Sequence, residues 1–190
     1  MFSGVGCGII INGEIYTGTN GYAGEVSIYN YREDDLFNCK AANSCFLKRW
    51  EMDLGITEEI RTIFSRDHKA AEKFFKLTSA DATKLNLKNV FSAARENEPT
   101  AVAALERAAK RLGIKIAHLV NLLNPEMVII GGGFEEAGET FLETVNNTVK
   151  DWAFREVVQD LKIVYSSLRE NAVAMGAASL VAEKIFAGLL

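Results

Sequence analysis

Proline stands at only two places in the chain, Pro99 and Pro125, and the segment they bracket constrains the fold most. Between them Val102, Leu105, Ala109, Leu112, Ile116, Leu119, Val120 and Leu123 recur at spacings of three or four, the period of one helix face. Pro99 suits a first helical turn, where its missing N–H has no intrahelical partner to lose, so Glu98-Pro99 opens a long helix. That helix should end before Asn124-Pro125, because a residue preceding proline avoids the right-handed α region. The next residues, Met127-Val128-Ile129-Ile130, form a short apolar run closed by Gly131-Gly132-Gly133, which reads as a fully buried strand.

The remaining segments alternate in the same way. Val5 to Ile11 and Glu14-Ile15-Tyr16-Thr17 flank Asn12-Gly13, a pair that favours positive φ at both central residues of a type I′ turn, so the chain opens with a β-hairpin. Ser44 to about Asn97 is helical in pattern, with breaks near Gly55-Ile56-Thr57 and at Ser79, a predicted N-cap. A helix over 138–154, a strand over Lys162–Tyr165 and a final helix from Asn171 to Phe186 follow. Strand and helix in alternation imply an α/β fold with parallel central strands. No Ser/Gly/Pro-rich linker and no repeat interrupts it, so residues 1–190 read as a single domain.

With 48% hydrophobic and 24% charged residues, disorder, collagen and coiled coil are excluded. No apolar run approaches the ~20 residues of a membrane span, so no membrane association is expected. The start, Met1 to Gly6, lacks a basic n-region and an apolar h-region, which makes the cytoplasm the expected compartment. Three cysteines, Cys7, Cys39 and Cys45, fit reduced thiols. A net charge of −4 argues against a nucleic-acid surface covering the domain. The densest basic stretch, Arg61, Arg66, Lys69, Lys73 and Lys76, is interleaved with Ile60, Phe64 and Phe74 and reads as solvated helix faces.

Two glycine clusters sit at strand edges. Ser3-Gly4-Val5-Gly6-Cys7-Gly8 leads into the hairpin, and Gly131-Gly132-Gly133 stands between a strand and a helix. Glycines let backbone N–H groups approach a ligand without a Cβ clash, so either cluster can receive phosphate or serve as a tight turn. Neither carries the lysine of a P-loop or the spacing of a dinucleotide fingerprint.

Four motifs taken together are more specific: Ser3 to Tyr16, Gly18-Thr-Asn-Gly-Tyr-Ala-Gly-Glu25, Asn124 to Gly133, and Asn171-Ala-Val-Ala-Met-Gly-Ala-Ala178. From residue 3 to about residue 186 the chain resembles the C-terminal lobe of the ROK family of repressors, open reading frames and sugar kinases. The resemblance implies one lobe of an actin-like (ribonuclease H-like, hexokinase-type) ATPase, with a mixed sheet that opens on the hairpin and is flanked by helices. It also implies that Ser3, Gly4, Gly6 and Gly8 lie against nucleotide phosphates, that Gly131, Gly132 and Gly133 lie near the adenosine, and that Glu25 accepts hydrogen bonds from sugar hydroxyls.

The chain departs from the family pattern beside Glu25. Where the family carries a histidine that binds sugar and joins three cysteines around a structural zinc, this sequence has Ile28, and only Cys39 and Cys45 remain of the cysteine run. Isoleucine can neither ligate zinc nor bond a hydroxyl, so no zinc is expected. His68, between Asp67 and Lys69, reads as a surface residue, and His118 on the long helix as a core-edge residue.

In the family the catalytic aspartate and an Asp-x-Gly-x-Thr phosphate loop belong to the other lobe. Asp81, Asp151 and Asp160 have no such context and read as solvated residues, so the resemblance implies no catalytic residue in these 190 residues. The expected role is a sugar-sensing and dimerising domain of a transcriptional regulator that holds no cofactor and reaches DNA only through an N-terminal domain outside this sequence. The alternative is the C-terminal half of an ATP- and Mg²⁺-dependent sugar kinase. A lobe without its partner exposes apolar surface, so a homo-oligomer is expected.

Overall fold

The computed structural model describes residues 5–26, 55–78 and 85–186. The predicted cap at Ser79 and the helical pattern before Gly55 lie outside the described residues.

The hairpin forms as expected. β1 (Ile10–Ile11) pairs antiparallel with β2 (Glu14–Ile15), and Asn12 and Gly13 both take positive φ, 54° and 83°, as a type I′ turn requires. Both strands are short and exposed, and Val5 ties the segment to the core.

Three helices follow: α1 (Ile56–Arg66), α2 (His68–Thr78) and α3 (Leu87–Arg95). The break between α1 and α2 comes at Asp67, whose carboxylate accepts the Lys69 and Ala70 N–H groups at 3.1 Å each and caps α2. Phe64, Phe74 and Phe75 close that corner with ring centroids 5.2–5.5 Å apart. The basic residues between them are exposed, in keeping with solvated faces.

α4 (Pro99–Leu123) is the long helix bracketed by the prolines. Glu98, 4% exposed, caps it by accepting the Ala101 N–H at 2.7 Å. Asn124 ends it by turning left-handed, φ 46°. Its buried face is wider than the large apolar residues alone predict. Ala101, Ala104, Ala108, Gly113 and Ala117 are buried beside Leu105, Ala109, Ile116 and Val120, whereas Val102 and Leu123 are exposed. Glu59 of α1 accepts from Arg107 and, at 3.2 Å, from Arg111 of α4.

Small residues on α4 let α5 (Glu139–Trp152) come close. A Cβ placed on Gly113 would lie 2.6 Å from Thr148 Cβ and 3.0 Å from the Val145 carbonyl oxygen, so the two backbones meet where only glycine fits. Asn121 joins the helix ends: its Oδ1 accepts the Phe154 N–H at 2.9 Å, and its Nδ2 donates to the Trp152 carbonyl at 3.4 Å. One turn of helix, α6 (Arg155–Val158), leads to the second strand of a parallel pair.

That pair is β3 (Met127–Ile130) and β4 (Lys162–Tyr165), in register from Met127↔Lys162 to Ile130↔Tyr165. Ile130 and Ile163 point into the core under α4 and α5. The expectation of a strand buried on both faces is not met, because Ile129 is 62% exposed and Met127 and Val164 are exposed with it. Among the described residues the hairpin and the parallel pair are two small sheets. The last helix, α7 (Ala172–Phe186), buries none of its side chains, although it is apolar on every side. Val173 and Phe186 are 84% and 89% exposed. No helix among the described residues is long and apolar enough to cross a membrane.

In an open helix Gly113→Ala would gain about 1 kcal/mol from propensity. Here the added methyl meets Thr148 and the α5 backbone, and overpacking of this kind costs about 1–3 kcal/mol, so the variant is expected to be less stable than wild type. A thermal melt followed by circular dichroism should show the midpoint falling by roughly 2–6 °C; a rise would show that α4 and α5 are not in close contact at this residue.

Candidate functional site

The first glycine turn is built around one carbonyl. Gly24 O accepts the Cys7 N–H at 2.9 Å and the Val26 N–H at 2.7 Å. Gly24 has φ 85°, and a Cβ there would sit 1.7 Å from the Cys7 carbonyl oxygen, so the contact requires glycine. The loop between hairpin and Gly24 is folded on itself by the Ala23 N–H to Thr17 O bond at 3.0 Å. Glu25 is therefore held, exposed, one residue from the clamp that anchors the Gly6–Gly8 turn. Of the residues that the sequence assigns to phosphate and sugar, the structure brings Gly6, Gly8 and Glu25 together; Ser3 and Gly4 lie outside the described residues.

Gly6 and Gly8 are exposed, and no described atom lies within 4 Å of where a Cβ would stand on either. That leaves room for a ligand to approach the backbone. Burial pushes the Cys7 thiol above its ordinary value, which keeps it protonated and a poor nucleophile near neutral pH.

The second turn stands at the carboxyl ends of the parallel strands. Ser166 N–H bonds Ile130 O at 2.8 Å, just before Gly131 leaves the sheet. Gly132 and Gly133 take φ 80° and 95° and are exposed. Phe134, at the start of a short 3₁₀ turn (Phe134–Ala137), is buried between Phe91 of α3 and Phe141 of α5, with ring centroids 6.0 and 5.3 Å away. The turn is thus nailed to the core by one ring. No hydrogen bond or ion pair joins it to the first glycine turn among the described residues.

Sequence reasoning missed Glu135. Its Oε2 accepts the Gly133 N–H at 2.8 Å, so the carboxylate folds back over the glycines that precede it. The only signal was an acidic pair one residue beyond the triple glycine, after Phe134, a pattern that surface helix starts share. Close by, Tyr165 of β4 donates its hydroxyl to the Gly138 carbonyl at 2.8 Å. Its phenol is pushed up to about 12, first by burial and then by the charges of Glu139 and Glu135.

The residues weighed for metal or catalysis are dispersed. His68 and His118 are exposed on α2 and α4; His118 is not at the core edge, because its position on α4 turns away from the Ile116–Ala117 stripe. Asp151 is exposed on α5. Asp160 lines a shallow cavity of about 280 Å³ with Pro125, Glu126 and Glu156, at the amino ends of β3 and β4 and so opposite the glycine turn. Ile28, Cys39, Cys45 and Asp81 lie outside the described residues.

A family model described as ROK family matches residues 2–184. The chain is 29% identical over 180 residues to the xylose repressor of Caldicellulosiruptor bescii, covering 94% of this chain and 43% of that protein. It is 31% identical over 182 residues to the glucokinase of Halalkalibacterium halodurans, covering 96% of this chain and 54% of that one. The crystal structure of a ROK family glucokinase from Streptomyces griseus, in complex with glucose and AMPPNP, superposes with a TM-score of 0.75 at 25% identity, over 93% of this chain and 57% of that one. The chain spans about half the length of the curated relatives it matches. Its fold is that of the actin-like ATPases to which such kinases belong, and the chain is a member of the ROK family.

Proposed function

We propose that this chain is the sugar-sensing and dimerisation domain of a ROK-family transcriptional regulator. The observation that carries the reading is the Cys7–Gly24 clamp, which anchors an open glycine turn and holds Glu25, exposed, as the residue next to it. A carboxylate accepts hydrogen bonds on two oxygens and cannot donate while ionised, which suits the vicinal hydroxyls of a sugar. Support for a sensor over a kinase comes from Ile28, an apolar residue where the family pattern has a sugar-binding histidine. DNA contact is assigned to residues outside this sequence, in keeping with the net charge of −4.

Dimerisation is drawn from the bare apolar surface. A helix that is hydrophobic all round belongs in an interior, and α7 has none to enter among the described residues. With the outer face of β3 and β4 it offers a surface that a second copy can cover.

A second reading, the C-terminal half of an ATP-dependent sugar kinase, is favoured by the likeness to a glucokinase solved with glucose and AMPPNP. In that reading Ser3, Gly4, Gly6 and Gly8 face the phosphates, with Mg²⁺, and Gly131, Gly132 and Gly133 face the adenosine. The open backbone at Gly6 and Gly8 fits a phosphate; the Gly133 N–H is already taken.

Calorimetry of the chain against a panel of pentoses and hexoses is expected to find one sugar that binds. Glu25→Ala should weaken it by about 10- to 100-fold, the worth of a hydrogen bond to a charged group, without lowering the melting temperature. Unchanged affinity would remove Glu25 from the site. With ATP, Mg²⁺ and the same sugars no ADP should be released; steady release assigns the kinase reading. Sedimentation velocity at micromolar chain is expected to show a dimer, and Val173→Glu with Val181→Glu should return it to monomer; a wild-type monomer throughout would refute dimerisation through α7.

A further inference from the structure

We propose that Glu135 closes the Gly131–Gly133 turn to phosphate, its carboxylate standing as an internal anion where a phosphate oxygen would accept the Gly133 N–H.

The turn has the place and shape of an anion site. It lies outside the carboxyl ends of two parallel strands, where α/β sheets generally receive ligands. Successive glycines at positive φ expose backbone N–H groups, and no described atom stands within 4 Å of a Cβ built on Gly132 or Gly133. Phe134, buried directly after it, prevents the turn from swinging away.

Glu135 occupies that shape from within. Oε2 accepts the Gly133 N–H at 2.8 Å, and Oε1 is buried with no hydrogen-bond partner among the described residues. Oε1 also lies 3.6 Å from where a Cβ on Gly131 would be, so the carboxylate spans the turn from its first glycine to its last. Glu136 and Glu139 follow, and among the described residues none of the three glutamates is in an ion pair. The Tyr165 phenol at the end of β4 is raised first by burial and then by Glu139 and Glu135. A phosphate would have to displace Oε2 and then sit against a carboxylate that no cation pairs among the described residues. Like charges at such a distance repel strongly where water is partly excluded. A neutral hydroxyl or amino group meets no such barrier, and Oε1 is an acceptor without a donor.

The inference stands on the turn alone and not on the sugar assignment at Glu25, which is read by a different titration. The full chain, ¹⁵N-labelled, is titrated with inorganic phosphate and separately with ADP while the Gly133 amide resonance is followed. In wild type that resonance should not move at millimolar concentrations of either. Glu135→Ala should bind phosphate about tenfold tighter or more, with the Gly133 amide shifting, and Glu135→Gln, which keeps the shape and loses the charge, should fall between. Two results overturn the proposal: a wild-type Gly133 amide that shifts with phosphate, which needs no variant to observe, or a folded Glu135→Ala chain that gains no phosphate affinity.

Discussion

The placing of the Gly131–Gly133 turn depends on how closely α4 and α5 pack. Gly113 lets the α5 backbone approach at Thr148 and Val145, and the alanines along α4 keep the seam flat. β3 and β4 are laid down from the far ends of these helices, β3 through the left-handed Asn124 and Pro125, β4 through α6. Asn121 fixes the relation between the two exits by bonding both the last carbonyl of α5 and the Phe154 N–H. A helix pair that moved apart would therefore shear the strands and displace the turn at their carboxyl ends. Interiors are close-packed, so such a shift is not absorbed locally.

The parts of the fold legible in the sequence are those where one residue's chemistry dominates. Pro99, Pro125 and Asn12-Gly13 act through the backbone, so the bounds of the long helix and the turn of the hairpin were readable to within a residue. The hairpin strands are shorter than the apolar run from Val5 to Ile11 implies. The buried stripe of α4 was harder to see, because alanine is small enough for either face, and its burial here follows from the neighbour that Gly113 admits. The break at Asp67 escaped notice for a related reason: a carboxylate between two helical patterns looks like another charged surface residue until it caps. Of the candidate site, the Gly24 requirement was implicit in the motif, but Glu135 was not. Its role arises from a side chain bending back two residues, a geometry that periodicity does not encode.

The apolar residues divide between a packed core and a bare face. Large apolar residues on α7, on the outer face of the parallel pair and on the hairpin remain in water. Parallel strands are ordinarily covered on both faces, and a two-stranded sheet is marginal without such cover. At about 25 cal/mol per Å², even a few hundred Å² of this surface would contribute several kcal/mol once covered, as much as a good part of a domain's net stability. The bare face is thus a stronger statement about assembly than the overall hydrophobic fraction is.

The two glycine turns differ in what they offer. At Gly6 and Gly8 the backbone faces open space, and the nearest assigned acid, Glu25, follows the anchoring Gly24. At Gly131–Gly133 the last N–H is satisfied and a second carboxylate oxygen is buried beside it unpaired. Phosphoryl transfer relies on donors already aimed at developing negative charge, and a fixed carboxylate in such a place works against it. Sugar recognition has the opposite need, since hydroxyls require acceptors as much as donors. In this chain the Gly133 N–H is taken while the backbone at Gly6 and Gly8 faces open space, so the two turns do not meet an anion in the same way.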